Sequence, residues 1–306
     1  MNIQVKAAII AIAIVIPLSS VAVYGTDSNQ QIAINDNPKL QVISSFYPLH
    51  EFAQHVGEDA VDTILLVPVG VEPHDWEPTI KDVQRMQQSN LIIINGIGFE
   101  NWVDRLDETN YQGVVVDTSN GIPIKSSIEE HEEKHLHDDG DPHIWLNPVY
   151  AKIQVQNIAT AFSNSDPENK QFYQSNAAKY IKELDSLDSK IQNELSDCTH
   201  DFVSFHDAFS YFADEYDLNQ HTIISSNGLH GDTTAKTLEN VITTSKNLNI
   251  NVIFSEENTD TRTSKTIANE IGGKVLLLST LEVASDGNYI SKMTNNLENL
   301  KVALCQ

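Results

Sequence analysis

The chain has 306 residues, 40% of them hydrophobic, and its 43 acidic against 19 basic side chains give a formal net charge of −24. This length holds an export signal and two lobes of ordinary domain size. The negative charge argues against nucleic-acid binding, because phosphate backbones require a basic surface. An acidic surface is typical of a soluble protein, and it also raises the local concentration of cations.

The N-terminal segment predicts export from the cytoplasm. Lys6 precedes an apolar run that ends in small residues, so residues 1–25 resemble a secretory signal peptide. The run is also long enough for an uncleaved membrane anchor. Residues 26–38 are polar and predict a tether. The remainder is therefore expected outside the cytoplasmic membrane, in the periplasm or at the cell surface.

Short apolar runs alternate with amphipathic segments between residues 39 and 165. Thr79, followed three residues later by Asp82, predicts the start of one of the helices. The predicted strands of this first lobe are 40–46, 61–67, 91–95 and 114–119. Alternating strands and helices predict a parallel α/β sheet.

Residues 166–195 predict a single long helix, because they contain no Gly or Pro after Pro167 and carry a helical stripe of apolar side chains. A helix of this length spans about 45 Å and suits a rigid connection between two lobes. The α/β alternation then restarts over residues 196–306. The predicted fold is α/β, with two parallel-sheet lobes joined by one long backbone helix.

The chain contains two cysteines, Cys198 and Cys305. An even number of cysteines in an exported chain is compatible with a disulfide. The alternative is a pair of buried free thiols, and the sequence leaves both open.

Three histidines occupy positions where α/β proteins bind ligands, which is beyond the carboxyl ends of strands. His206 directly follows a predicted strand, and His74 lies in a proline-rich loop after another. His143 lies between Pro142 and Pro148, just before a helix that Asn147 is expected to cap. A lone histidine is more often a surface or packing residue, so spacing alone does not make these three a site.

Several longer stretches carry a family resemblance. They are VISSFYPLHEFAQHVG, PVGVEPHDWEP, DPHIWLNP, VSFHDAFSYFA and IFSEENTDTRTSKTIANEIG, in order from about residue 40 to 273. The chain resembles the periplasmic metal-binding proteins of zinc and manganese ABC importers, the ZnuA/TroA-like cluster A-I group. The resemblance implies one metal ion in a cleft between two lobes, and a membrane permease as partner. His74, His143 and His206 match the ligand-bearing motifs of the family.

The third of these positions distinguishes the metals. Manganese-type members of the family resemble this pattern with a carboxylate in the place of His206. Three imidazoles favour Zn²⁺ over Mn²⁺, because zinc takes nitrogen ligands in tetrahedral sites. Copper and nickel also bind such ligand sets, so metal availability contributes to the choice.

The sequence departs from the family pattern at the fourth ligand. Ser279 and Thr280 stand where many members have an Asp-Pro turn. A water molecule or Glu256 is the favoured replacement. The remaining candidates are Glu257, Glu77 and Glu72.

Acidic residues close to the candidate ligands are expected to orient the histidine rings. Each lies within two residues of a candidate ligand, and they are Asp75, Asp141 and Asp207. Capping or solvation of the same carboxylates is the alternative.

The segment 129–141 is acidic and contains His131, His135 and His137. Its position matches the His- and Asp-rich loop of zinc-importing relatives, and its composition predicts disorder with weak, exchangeable cation binding. The alternative is a solvated charged loop without a metal role.

The sequence therefore predicts a monomeric extracytoplasmic protein that captures Zn²⁺ and delivers it to an ABC permease, without enzymatic activity. One alternative is an adhesin with a structural metal. Another is a zinc hydrolase, since three histidines and a water form a catalytic pattern, although no H-E-x-x-H motif is present.

Overall fold

In the computed structural model, residues 39–125, 140–224, 234–257, 259–284 and 286–305 are described. The predicted signal peptide and tether lie outside these ranges, as do His131, His135 and His137. Among the described residues, no helix combines the length and the apolar character needed to cross a membrane.

The first lobe contains a four-stranded parallel sheet in the order β2-β1-β3-β4. Its strands are β1 (Leu40–Ser44), β2 (Val61–Leu65), β3 (Leu91–Ile94) and β4 (Val114–Asp117). Its helices are α1 (Tyr47–Gly57), α2 (Ile80–Met86) and α3 (Pro148–Ser165). Every residue of β3 is buried, as expected for an apolar strand with both of its faces covered.

The long helix α4 (Lys170–Leu195) follows a 3₁₀ turn at Pro167–Asn169. Its 26 residues span about 39 Å at the usual rise of about 1.5 Å per residue. Its buried stripe is Phe172, Tyr173, Ala177, Tyr180, Leu184, Leu187, Ile191 and Leu195. The stripe belongs to one hydrophobic core that contains residues of both lobes.

The second lobe repeats the sheet order of the first, with four parallel strands ordered β6-β5-β7-β8. Its strands are β5 (Asp201–Ser204), β6 (Asn219–Thr222), β7 (Val252–Ser255) and β8 (Lys274–Leu277). Its helices are α5 (Ser210–Glu215), α6 (Ala235–Asn247), α7 (Arg262–Ile271) and α8 (Tyr289–Leu304). The predicted α/β fold with two parallel sheets is confirmed.

The disulfide between Cys198 and Cys305 is formed, which decides between the two alternatives left by the sequence. Cys198 lies between α4 and β5, and Cys305 follows the last residue of α8. The bond therefore ties the C-terminal helix to the end of the linking helix. This connection lies at the amino edge of the second sheet, opposite the edge that carries His206.

Candidate metal centre

The three predicted histidines come from loops that follow the carboxyl ends of strands. His74 lies between β2 and α2, and His206 comes two residues after β5. His143 lies between β4 and α3, and its loop is fixed at its far end by Asn147, whose side chain accepts a hydrogen bond from the backbone N–H of Val149. Parallel strands present these loops at one edge of each sheet, and the two edges face a common cleft.

The structure brings the three histidines together with a fourth group, Glu282. The Oε1 atom of Glu282 lies 3.3 Å from Nε2 of His74, 3.3 Å from Nε2 of His143 and 3.7 Å from Nε2 of His206. The Nε2 atoms of His143 and His206 are 3.4 Å apart. All four candidate ligand atoms lie within 4.8 Å of one another.

These separations match a tetrahedral ion. Ligands about 2.0–2.1 Å from a tetrahedral centre stand about 3.3–3.4 Å apart, and these are the bond lengths that zinc makes with imidazole nitrogen and carboxylate oxygen. The distances from Glu282 Oε1 to the three Nε2 atoms, and between the Nε2 atoms of His143 and His206, run from 3.3 to 3.7 Å, and all four atoms lie within 4.8 Å of one another. Small side-chain adjustments are therefore enough to bring three nitrogens and one oxygen to zinc bonding distance.

Carboxylates bind the Nδ1 atoms of two imidazole rings, on the side away from the other candidate ligands. Nδ1 of His143 lies 2.7 Å from Oδ1 of Asp141, and Nδ1 of His206 lies 2.6 Å from Oε2 of Glu256. Each carboxylate also accepts the backbone N–H of the same histidine, at 3.1 Å in both cases. An ionised carboxylate can only accept, so Nδ1 carries a proton, and in the neutral imidazole the Nε2 lone pair faces the centre.

The third ring is oriented by different contacts. The backbone N–H of His74 donates to Oε1 of Glu72 at 3.3 Å, and its carbonyl accepts from the amide of Asn101 at 3.4 Å. Its ring stands edge-on to Phe99, with 4.8 Å between ring centroids. The His74 side chain is 13% exposed, whereas the side chains of His143 and His206 are fully buried. His74 therefore marks the solvent side of the site.

The metal-free site is strongly polarised. Burial alone would lower the pKa of His143, but its hydrogen bonds with Asp141 and Glu282 outweigh burial and raise that pKa to about 9. Burial is likewise outweighed at His206, where Glu256 raises the pKa well above its usual value. At His74 burial prevails and lowers the pKa. The three histidines hold the pKa of the buried Glu282 well below its usual value. Without a bound ion, the protonated form is therefore favoured at His143 and His206 and the neutral form at His74.

The structure corrects the expected fourth ligand. Water or Glu256 was favoured, but Glu282 is the carboxylate that lies beside the three Nε2 atoms, and Glu256 makes a hydrogen bond with Nδ1 of His206 instead. Of the other candidates, Glu77 pairs with Arg105, and Glu72 accepts the backbone N–H of His74. The sequence signal for Glu282 is slight: it is the first acidic residue after β8, in the stretch LSTLEVA.

Among the acids proposed to orient the rings, Asp141 makes such a contact, on His143. Its other oxygen, Oδ2, accepts a short hydrogen bond from the Ser210 hydroxyl at the start of α5, in the second lobe. Asp207 is partly buried, which raises the pKa of its carboxyl. Sequence reasoning missed Glu256 in this orienting role because it lies 50 residues from its histidine.

Comparison with known proteins decides the family. The model of the family described as "Zinc-uptake complex component A periplasmic" matches residues 42–303 of this chain. The chain belongs to the ZnuA family. It is 37% identical over 301 residues to the high-affinity zinc uptake system protein ZnuA of Bacillus subtilis. The alignment covers 93% of this chain and 93% of that protein.

Two further ZnuA-like relatives are informative. The zinc-binding lipoprotein AdcA of Streptococcus pneumoniae is 33% identical, and this chain spans only 57% of its length. The Zn(II)-bound ZnuA-like domain of AdcA has a solved structure, with 31% identity, a TM-score of 0.76, and coverage of 88% of this chain and 100% of that one. The laminin-binding protein Lmb of Streptococcus agalactiae, titled a bifunctional protein with adhesin and metal transporting activity, gives 28% identity, a TM-score of 0.77, and coverage of 86% and 99%.

Proposed function

We propose that this ZnuA-family protein captures Zn²⁺ outside the cytoplasm, through His74, His143, His206 and Glu282, and delivers it to the permease of an ABC importer. The observation that carries the proposal is the grouping of three imidazole Nε2 atoms within 3.3 to 3.7 Å of one carboxylate oxygen, with all four atoms within 4.8 Å of one another. Zinc is the cargo of this site, bound for transfer rather than held as a permanent cofactor.

The donor set favours zinc over the other divalent ions of this class of importer. Manganese, magnesium and calcium prefer oxygen-rich sites of higher coordination number, whereas three imidazoles and one carboxylate suit tetrahedral zinc. The fourth ligand also contributes charge. Glu282 places one negative charge against the ion, and the carboxylates on His143 and His206 add two more in direct contact with the rings.

Native mass spectrometry of the exported protein under metal competition tests this site. Wild type is expected to bind one tight Zn²⁺, and His74→Ala, His143→Ala, His206→Ala and Glu282→Ala are each expected to weaken binding. His200→Ala is the matched control, because His200 is half-exposed at the opposite edge of the second sheet and pairs with Asp217. Unchanged tight zinc stoichiometry in all four site variants would overturn the proposed site.

A transport role suits the site better than hydrolysis. Catalytic zinc sites keep a coordination position open for water, whereas structural and storage sites use four protein ligands. In this protein a fourth protein group, Glu282, lies in the place where a hydrolase would hold its water. The expected result is an absence of turnover in a screen of ester, amide and phosphoester substrates with the zinc-loaded protein.

Location and partner follow from the same family membership. The disulfide between Cys198 and Cys305 suits an oxidising compartment outside the cytoplasm. Delivery requires a permease that engages the monomer and opens the cleft. Deletion of the gene is expected to impair growth under zinc chelation, and added zinc is expected to restore it.

A second candidate role is adhesion, favoured by the likeness to Lmb, a protein titled as both adhesin and metal transporter. An adhesin role predicts saturable binding of the purified protein to laminin, and a sole adhesin role also predicts normal zinc uptake in a deletion strain. Laminin binding together with impaired uptake would support both roles. Impaired uptake without laminin binding would leave transport alone.

A further inference from the structure

Glu282 reaches the site from a turn with unusual backbone geometry. Leu281, immediately before it, has a φ of +59°, in the left-handed region that a residue with a Cβ rarely occupies. Such a conformation is strained for a residue with a Cβ and persists only where surrounding contacts fix it. The Leu281 side chain is fully buried in the main core, so the turn lies inside the protein and not on a free loop.

One set of these contacts comes from the second lobe itself. Asn296 of α8 accepts the backbone N–H of Ser279 and donates to its carbonyl, both at 2.7 Å. The Ser279 hydroxyl in turn accepts the backbone N–H of Leu281 at 3.2 Å. These bonds hold the first half of the turn against its own lobe.

The second half of the turn is held from the other lobe. The indole N–H of Trp145 donates to the carbonyl of Thr280 at 2.7 Å. Trp145 is two residues from His143, and Thr280 is two residues from Glu282. This single hydrogen bond therefore joins the segment that carries His143, in the first lobe, to the segment that carries Glu282, in the second.

Trp145 is itself fixed on several sides. It is fully buried, its ring packs edge-on against Phe46 and Phe99, and its carbonyl accepts the Tyr289 hydroxyl at 2.6 Å. Tyr289 begins α8, and its backbone N–H donates to the buried Glu51 of α1 at 2.7 Å. A rigid donor is thus presented to Thr280 at the junction of the lobes.

We propose that Trp145 is a positioning residue for zinc capture: by holding the Thr280 carbonyl, its indole N–H fixes the left-handed turn that aims Glu282 at the three histidines. The inference rests on the proposed zinc site and extends it. Loss of this hydrogen bond lets Leu281 relax and withdraws the carboxylate, while the hydrogen bonds of His143 with Asp141 and of His206 with Glu256 do not involve Trp145. The Trp145 ring also lies 5.2 Å from the His143 ring between centroids, so the test variant is phenylalanine, which keeps an aromatic ring at this position.

A double-mutant cycle tests whether Trp145 acts through Glu282. Zinc affinity is measured by chelator competition for wild type, Trp145→Phe, Glu282→Gln and the double variant. Trp145→Phe is expected to weaken binding about tenfold, the equivalent of one lost hydrogen bond with a displaced ligand. In the Glu282→Gln background the same change is expected to have less than about a twofold effect. Equal losses in both backgrounds, or no loss in wild type, overturn the proposal.

Infrared difference spectra recorded on zinc binding report directly on the Glu282 carboxylate, whose band does not change with a general packing defect. The carboxylate band that Glu282→Gln abolishes belongs to coordinated Glu282, and Trp145→Phe is expected to shift or remove it. Trp102→Phe is the matched control, because Trp102 is buried in a separate cluster of the first lobe. This control is expected to keep the band and the affinity. A normal Glu282 band in Trp145→Phe contradicts the positioning role.

If Trp145→Phe fails to fold, Tyr289→Phe carries the test, since it removes the hydrogen bond to the Trp145 carbonyl with little change in the volume of the core. It is expected to weaken zinc binding in wild type and not in the Glu282→Gln background, and equal effects in both overturn the proposal.

The experiments distinguish an error in the proposed zinc site from an error in the proposed role of Trp145. In the first case wild type shows no histidine-dependent zinc binding, and in the second it shows normal binding with a coordinated Glu282 that Trp145 does not affect.

Discussion

At the scale of single residues, the two ring nitrogens of His143 and of His206 have different roles. Nε2 of His143 and of His206 faces the ion position, while Nδ1 is bound to Asp141 or Glu256. The carboxylates fix ring orientation and also raise the histidine pKa values, so in the metal-free protein they favour the protonated form that zinc must displace. The same carboxylates therefore orient the imidazole rings and make protons compete more strongly with zinc for Nε2.

Zinc binding is consequently expected to release protons at neutral pH. The pKa of His143 is raised to about 9 and that of His206 is also raised, whereas Glu282 is already ionised. Coordination needs neutral imidazoles, so the apparent zinc affinity should rise as pH increases from about 6 to about 9 and then level off. Calorimetry in buffers of different ionisation enthalpy should detect about one to two protons released per ion. Identical binding heats in all buffers would contradict this.

Removal of one orienting carboxylate should change both the number of protons released on zinc binding and the zinc affinity. Asp141→Asn takes away the group that raises the pKa of His143, so fewer protons should be released, although the ring loses its fixed orientation. Second-shell changes of this kind typically cost about 10- to 100-fold in metal affinity. Chelator competition and buffer-dependent calorimetry measure the two effects. Asp185→Asn, in an exposed ion pair with Lys152, is the control and should alter neither.

At the scale of elements, the disulfide is expected to stabilise the fold without affecting the site. It closes a loop across 107 residues between the start of β5 and the end of α8. In the chain-entropy model a loop of this length contributes about 5 kcal/mol, and disulfides typically contribute about 2–4 kcal/mol. Cys198→Ser with Cys305→Ser should therefore lower the thermal midpoint of the metal-free protein. Zinc affinity measured below that midpoint should stay within about twofold of wild type, and a larger loss would show that the disulfide is needed to keep α8 in the position that supports the site.

The elements also show why the sequence predicted some ligands and not others. The family resemblance predicted His74, His143 and His206 as candidate ligands, because each lies in a stretch that matches a ligand-bearing motif, whereas their positions alone did not. Glu282 could not be predicted, since the family pattern directs attention to Ser279, three residues earlier, and the left-handed turn at Leu281 that brings Glu282 inward has no local sequence signal. The contact between Glu256 and His206 depends on the adjacency of β5 and β7, which only the sheet order specifies.

The acidic loop is expected to act separately from the ligand set. Its base is closed where the backbone N–H of Asp141 donates to the carbonyl of Lys125 at 3.0 Å. Deletion of 129–139 should therefore leave that bond in place, keep the tight zinc event and remove any weaker second event. Calorimetric titration with Zn²⁺ resolves the two. Loss of the tight event on deletion would show that the loop contributes to the principal site.

At the scale of the whole molecule, the two lobes are connected by more than a linker. The main hydrophobic core contains residues of both sheets and the full buried stripe of α4. Hydrogen bonds also cross between the lobes on two sides, from Tyr47 to Gly287 and from Tyr211 to Asp141. A continuous core resists large relative motion, because opening it exposes apolar surface at about 25 cal/mol per Å². Zinc capture should therefore involve small adjustments of the cleft rather than wide closure.

A proline in α4 tests this connection. Lys182 is exposed near the middle of the helix, so Lys182→Pro breaks the backbone ladder, at about 3 kcal/mol or more, without removing a buried side chain. If the helix fixes the lobe spacing, Lys182→Pro should weaken zinc binding and increase the change in small-angle scattering on zinc addition, which should be slight in wild type. Lys182→Ala controls for the lost charge and should behave as wild type. The prediction is wrong if the proline variant folds and matches the alanine variant in zinc affinity and in scattering. In that case the interlobe hydrogen bonds and the shared core fix the distance between the lobes, and an unbroken α4 is not required.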